Sequence, residues 1–310
     1  MNDVDYITNY WHYADTQEDK LLNYIGKKQD DLSAELQNIL DHFRSIQLSG
    51  NISRAEVNRL HRKIDQWQKA GYDVGELKLI MRDLDNRTRI KGNEALFAFL
   101  LAAFIGFYLP VMDESRKVLL DVSQEAYRRE FAAAKEITGK GRMNPPGAST
   151  VTEWLKNPIP SGGMFEADHY ADAAYRARQF QKLVNAEKQQ MGTLLGPKKP
   201  LDIDNPQYKR ALEIQKAWYL RRTTGAYTGK HAGMLDMYIA YGISKIVLKA
   251  FRDAGVKKYQ FIATIDERTT DECRGLHLKI FPMKGAMIGI NAPPIYPPPH
   301  PCRSIIRAVE

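Results

Sequence analysis

Eighteen consecutive residues, Ala95 to Met112 (ALFAFLLAAFIGFYLPVM), carry no charge, and any fold open to this chain has to keep them out of water. Roughly 17–25 apolar residues are needed to cross a bilayer as a helix, so the run stands at the lower limit, and Pro110 is expected to cut its regular part to about 15, closer to a buried core helix. Lys91 and Glu94 precede it and Asp113, Glu114 and Arg116 follow, without the positive bias that orients a membrane span. A buried helix is the first expectation, with a membrane-active segment and a constitutive span as alternatives. A following helix over Ser115–Ile137, with Val118, Leu119, Val122, Ala126, Tyr127 and Phe131, can cover it.

The flanking sequence is helical too. In Asp31–Leu48 the residues Leu32, Leu36, Ile39, Leu40, Phe43 and Ile46 recur at three- and four-residue steps, and Ser49-Gly50-Asn51 ends the pattern. Ser53 and Glu56 have capping-box spacing ahead of a helix carrying Val57, Leu60, Ile64 and Trp67, with Gly71 as its stop. Gly75–Arg89 reads as another, with Leu77, Ile80, Met81 and Leu84. From Thr138 the sequence TGKGRMNPPGAST, and later NPIPSGG, is too rich in Gly, Pro and Ser for a regular element. The Gly-x-Gly at 139–141 lies there and not after a strand, so it is no nucleotide fingerprint. Helical pattern returns over Glu166–Met191, Tyr208–Arg222 and His231–Ala254, and beyond Gly255 short β-rich pieces begin, Tyr259–Ile265 being a strand candidate. The expected fold is mainly α (α+β). It has a helical N-terminal region over 1–140, a Gly/Pro-rich linker over 141–163, a second helical region over 164–254 and a β-containing C-terminal unit over 255–310.

Composition narrows the functional classes. With 44% hydrophobic and 26% charged residues among 310, the chain can bury a core and is neither collagen-like nor wholly disordered. Its net charge of +8 is uneven. The first 50 residues hold nine acids against four bases, a net of −5, which leaves +13 for the rest and favours contact with a polyanion or an acidic protein surface. Two cysteines cannot staple a secreted scaffold, and MNDVDYITNY has no basic stretch leading into an apolar one, so synthesis in a cytosol is expected.

The residues able to carry specific chemistry sit in the last 50. Cys273, His277, His300 and Cys302 could form a Cys2His2 zinc set, although His-x-Cys in extended chain points its two side chains to opposite faces. A Cys273–Cys302 disulfide, or two cysteines packed as small apolar groups beside hydrogen-bonded histidines, are the alternatives. Asp266 and Arg268, with Thr269, either orient a substrate anion or make ordinary turn chemistry after a strand, and the turn fits the spacing better. The proline run from Pro293 to Pro301 should lie as an extended arm, with Arg303 and Arg307 beyond it. The chain lacks a Gly-x-Ser-x-Gly, a Walker loop and a His-Glu-x-x-His. An enzyme reading would therefore rest on a metal-dependent nuclease or transferase using the Cys/His and Asp-x-Arg groups.

Taken in order, Phe261–Thr264 (FIAT), Asp266-x-Arg268-Thr269 with Cys273 four residues on, and Leu276-x-x-Lys279-x-Phe281 form one series. Asn291-Ala292-Pro293-Pro294 and Pro299-His300-Pro301-Cys302-Arg303-Ser304 complete it. The series resembles the C-terminal signature of the Mu F-like minor head proteins, the head morphogenesis family of tailed phages. Leu220-Arg221-Arg222-Thr223 looks like the Arg-rich helix that precedes that signature, so about a third of the chain is covered. Two departures stand out. His277-Leu278 replace a small polar residue and a glycine, and the His-to-Cys spacing is one residue shorter than His-Pro-x-Cys. The resemblance implies a low-copy, non-enzymatic protein of the virion, made in the bacterial cytoplasm and placed inside the capsid at the portal vertex. It would assist head assembly and leave with the DNA. The implied partners are the portal protein, the phage double-stranded DNA, and scaffold or major capsid protein. Membrane contact through Ala95–Met112 during ejection is a further reading. The basic chain after residue 50 suits packing against phosphate, and the acidic first 50 residues would be left for a protein contact.

Overall fold

A computed structural model describes residues 3–70, 74–156, 165–194, 201–214, 234–266, 269–287, 291–292 and 304–310. The chain is mostly helical, with 70% of it in helices and a small three-stranded antiparallel sheet near the C-terminus. In chain order the elements are α1 (Asp3–Phe43), α2 (Arg54–Lys69), α3 (Gly75–Asp85), α4 (Gly92–Thr138), α5 (Ala148–Lys156), α6 (Phe165–Leu194), α7 (206–214) and α8 (Met234–Asp253). Then follow β1 (Lys258–Ile262), α9 (Asp271–Leu276), β2 (Ile280–Pro282) and β3 (Ile305–Val309). They form two compact units, one from residues 1–23, 114–166 and 219–310, the other from 24–113 and 167–218.

The charge-free run does not end at Pro110. It belongs to α4, a single 47-residue helix with the proline inside it, so the two helices expected over 95–109 and 115–137 are one. A mid-helix proline loses one backbone hydrogen bond and presses its ring on the carbonyl four residues back, a cost of about 3 kcal/mol or more. That residue is Gly106, and it is glycine for a separate reason: the Trp67 indole lies 2.5 Å from where a Cβ would stand. Burial on both sides of the proline outweighs the defect: Phe107, Tyr108, Leu109, Val111 and Met112 are all buried. By length and composition α4 could cross a membrane, but 89% of its most apolar window is buried inside the fold.

In the unit made of 24–113 and 167–218, the expected apolar faces form the core: Leu32, Leu36, Ile39, Leu40 and Phe43 with Val57, Leu60, Ile64, Leu77, Met81 and Leu84. α1 stops at Phe43, five residues before the expected end. There the Lys188 ammonium takes over the end of the helix, donating to the Phe43 carbonyl at 2.6 Å and to that of Ile46. Burial lowers the Lys188 pKa. The next loop is fastened to the start of α4 by Ile52 N–H to Ile90 C=O (2.9 Å), Gly92 N–H to Gly50 C=O (2.9 Å) and Asn93 N–H to Leu48 C=O (3.0 Å). Ser53 is the N-cap of α2, but its side chain makes no capping bond. The capping box fails because Glu56 pairs with His42 instead of reaching back to the cap. α2 ends on Ala70, and the expected stop at Gly71 lies outside the described residues. α3 ends at Asp85 rather than Arg89, with Asp85 accepting from Arg54 through its carbonyl (2.9 Å) and contacting His61 through its carboxylate (2.9 Å).

In the other unit, the Gly/Pro-rich segment expected over 141–163 contains helix α5, and its first part is a bonded strap. Thr138 donates its hydroxyl to the Ala254 carbonyl (2.6 Å), Asn144 N–H donates to the Tyr127 hydroxyl (2.8 Å), and Gln124 Nε2 donates to the Pro146 carbonyl (3.1 Å). Gly139 and Gly141 have φ of 65° and 95°. A Cβ on Gly141 would stand 2.1 Å from the Asp253 carbonyl oxygen, so glycine is what lets the strap lie on the end of α8. Beneath it Tyr127 donates to Asp253 Oδ2 (2.6 Å), and Lys249 pairs with the same carboxylate while standing 5.2 Å above the Tyr127 ring. Burial, then the Asp253 hydrogen bond, push the Tyr127 pKa up to about 12.

The sheet has the order β2-β1-β3, with Tyr259 opposite Phe281 and Ala308, and Phe261 opposite Ile306. Tyr259, Phe261, Ile306 and Ala308 are buried, and α8 packs on β3. Pro282, which has no N–H to offer a ladder, sits on edge strand β2.

Candidate functional site

The signature residues begin where β1 ends. Strand pairing stops after Ile262, and the next amide, Ala263 N–H, is taken by His277 Nδ1 at 3.1 Å. The chain then turns through Asp266 to Thr269. The Thr269 hydroxyl accepts from Asp266 N–H (2.7 Å), and its single proton faces the Thr264 carbonyl and Asp266 Oδ1 (3.1 Å). Thr270 caps α9, accepting from Cys273 N–H (3.3 Å), and the acids Asp271 and Glu272 occupy the first turn, where the helix dipole favours them. Arg274 reaches back over this turn and donates from Nη2 to the Asp266 carbonyl (2.7 Å) and from Nε to the Thr269 carbonyl (3.2 Å). Ser304, at the start of β3, faces Thr264 N–H (3.4 Å).

Asp266 and Thr269 therefore shape the turn, and Cys273 lies buried in α9. Arg268, Pro299, His300, Cys302 and Arg303 lie outside the described residues, so half of the expected zinc set and any Cys273–Cys302 bond do too. Among the described residues no group of three or more His, Cys, Asp or Glu side chains is placed to hold a metal ion. The His277 geometry has a consequence of its own. A ring nitrogen that accepts an amide proton carries no proton, so the neutral imidazole must have its hydrogen on Nε2. Zinc on Nε2 would move that hydrogen to Nδ1, directly against Ala263 N–H, so the hydrogen bond and zinc ligation by His277 exclude each other.

The next residue is unusual in its backbone. Leu278 has φ of 63° and is the one non-glycine residue with positive φ among the described residues. It is pinned there by its N–H to the Phe261 carbonyl (2.8 Å) and by Gln260 Nε2 to its own carbonyl (2.9 Å). Position 278 is where the resembled signature carries glycine, the residue with no steric objection to that conformation.

Sequence reasoning passed over Thr270 and Arg274. A threonine directly before two acids is a helix-start signal and could have shown the first. The second left no signal, because its acceptors are main-chain carbonyls, which every residue has. No family model matches the chain, and neither does any curated protein or solved structure.

Proposed function

We propose that this chain is a minor head protein of a tailed phage, held inside the capsid at the portal vertex, where it assists head morphogenesis and from which it leaves with the DNA. The observation that carries the reading is Leu278. The resemblance expects glycine at this position on sequence grounds alone, and the backbone there has the left-handed conformation that glycine serves. Further support comes from the way Asp266, Thr269, Cys273 and His277 join one hydrogen-bonded turn and helix between β1 and β2. In this reading the signature residues determine a fold that presents a surface, and they are not reacting groups. A metal-dependent nuclease or transferase using His277 would first have to break the Ala263–His277 bond.

The test is quantitative mass spectrometry of gradient-purified particles, with cross-linking before digestion. Peptides of this chain at a few copies per particle, cross-linked to portal protein, are the expected result. Abundance in the lysate with absence from the particles refutes the reading.

A further inference from the structure

Six basic residues stand on stretches of backbone that meet near the carboxyl end of α8, although they come from three separate parts of the sequence. The strap lays Gly141 on the backbone of Asp253 and Ala254, which brings its neighbours Lys140 and Arg142 there. The Lys140 Cβ is 3.8 Å from the position of a Cβ on Gly255. Arg252 is in the last turn of α8 and donates to the Ala286 carbonyl. Met283 N–H donates to the Lys257 carbonyl (2.9 Å), which sets Lys284 beside Lys257 and Lys258. All six are exposed. None forms an ion pair among the described residues, whereas Asp253 at the centre is already engaged by Lys249 and Tyr127. The Lys258–Val309 pairing brings the exposed Glu310 to the edge of the group without an ion pair.

Concentrating like charge on rigid backbone, beside a carboxylate that is spoken for, suits a polyanion with closely spaced charges. Duplex DNA offers about one phosphate charge per 1.7 Å of axis. The exposed apolar residues nearby in sequence, Ile137, Met143, Ile280 and Met287, come one at a time and not as the continuous apolar face by which an interfacial helix enters a membrane. We propose that Lys140, Arg142, Arg252, Lys257, Lys258 and Lys284 form a contact for the phosphate backbone of duplex DNA, without sequence readout. The inference rests on the minor-head reading for the source of the DNA, which would be the packaged genome.

The full chain is titrated against a short fluorescent duplex by anisotropy over a range of salt. The parent should bind, with an affinity that falls steeply with salt. Replacing Lys140, Arg142, Lys257 and Lys284 by Gln, and leaving Arg252 to hold Ala286, should flatten the logarithmic salt slope by about 0.9 for each phosphate no longer neutralised, close to tenfold in affinity apiece near 0.1 M salt. Replacing the exposed Lys27, Arg44, Lys69 and Lys91 by Gln removes the same charge elsewhere and should leave most of the slope. Circular dichroism matching the parent's qualifies each variant for the comparison. The inference is overturned if the parent does not bind duplex, if both variants flatten the slope equally, or if the parent prefers phosphatidylserine vesicles to duplex. Particles that contain a protein unable to bind duplex would sink this inference alone, and a duplex-binding protein missing from particles would sink the minor-head reading alone.

Discussion

Replacing Gly141 by Ala tests the strap directly. Holding an alanine in a left-handed conformation costs about 1–2 kcal/mol. Its Cβ would also stand 2.1 Å from the Asp253 carbonyl oxygen and 2.7 Å from the Ala254 Cα, and both are backbone atoms that cannot rotate aside. The strap has to lift, which puts at risk the Thr138–Ala254 and Asn144–Tyr127 hydrogen bonds, each worth about 1 kcal/mol net. The expected loss is about 3–4 kcal/mol. Gly139 is the internal control, because its φ is 65° but nothing lies within 4 Å of a Cβ there, so Gly139→Ala should cost only the conformational part, about 1–2 kcal/mol. Urea unfolding of both variants, followed by far-ultraviolet circular dichroism and compared at equal slope, reads the difference. Equal midpoints would mean that the strap does not rest on α8, and the reasoning would fail.

Three further outcomes follow from the same geometry. Leu278→Gly should stabilise the protein by about 0.5–1 kcal/mol in thermal unfolding, because relief of the left-handed conformation exceeds the added freedom of the unfolded chain, and a loss of stability would contradict it. His277→Gln, whose carbonyl can still accept Ala263 N–H, should unfold close to the parent, whereas His277→Ala leaves that amide unpaired and should cost about 1–3 kcal/mol. With both, EDTA should leave the parent's melting temperature unchanged, and a fall reversed by zinc would return His277 to the metal ligands. The lowered pKa of Lys188 means that the unfolded chain holds more protons than the folded one between that value and 10.5. Stability should therefore rise with pH across that window in the parent and lose this rise in Lys188→Met, measured by urea unfolding at stepped alkaline pH.

The helical faces were readable because burial repeats at 3.6 residues, and Leu36, Leu60 and Met81 are buried as their spacing suggests. Pro110 misled because its local rule describes an isolated helix, and here burial on both flanks overrides it. The strap was hidden for another reason. Thr138 and Ala254 are far apart in sequence, and glycine and proline spell absence of helix without saying what the segment lies on. The turn at Asp266–Thr269 was legible from residue type, since Asp and Thr bond to nearby backbone. Leu278 was not, because leucine gives no hint of positive φ, and only the glycine of the resembled signature drew attention to the position.

The unit that contains the first 23 residues is completed only by residues 219–310. At a synthesis rate of about 10 residues per second, residues 1–23 leave the ribosome roughly 9 s before residues 114–166 of their unit begin to appear and roughly 20 s before residues 219–310 do. The unit made of 24–113 and 167–218 can close sooner, so residues 1–23, made before it, are settled after it. Until then the unit that buries Trp11 and Ala14 is incomplete, and a stop codon anywhere before residue 219 leaves it so. Nascent chains of this protein are therefore natural clients for chaperones that hold apolar segments until translation ends.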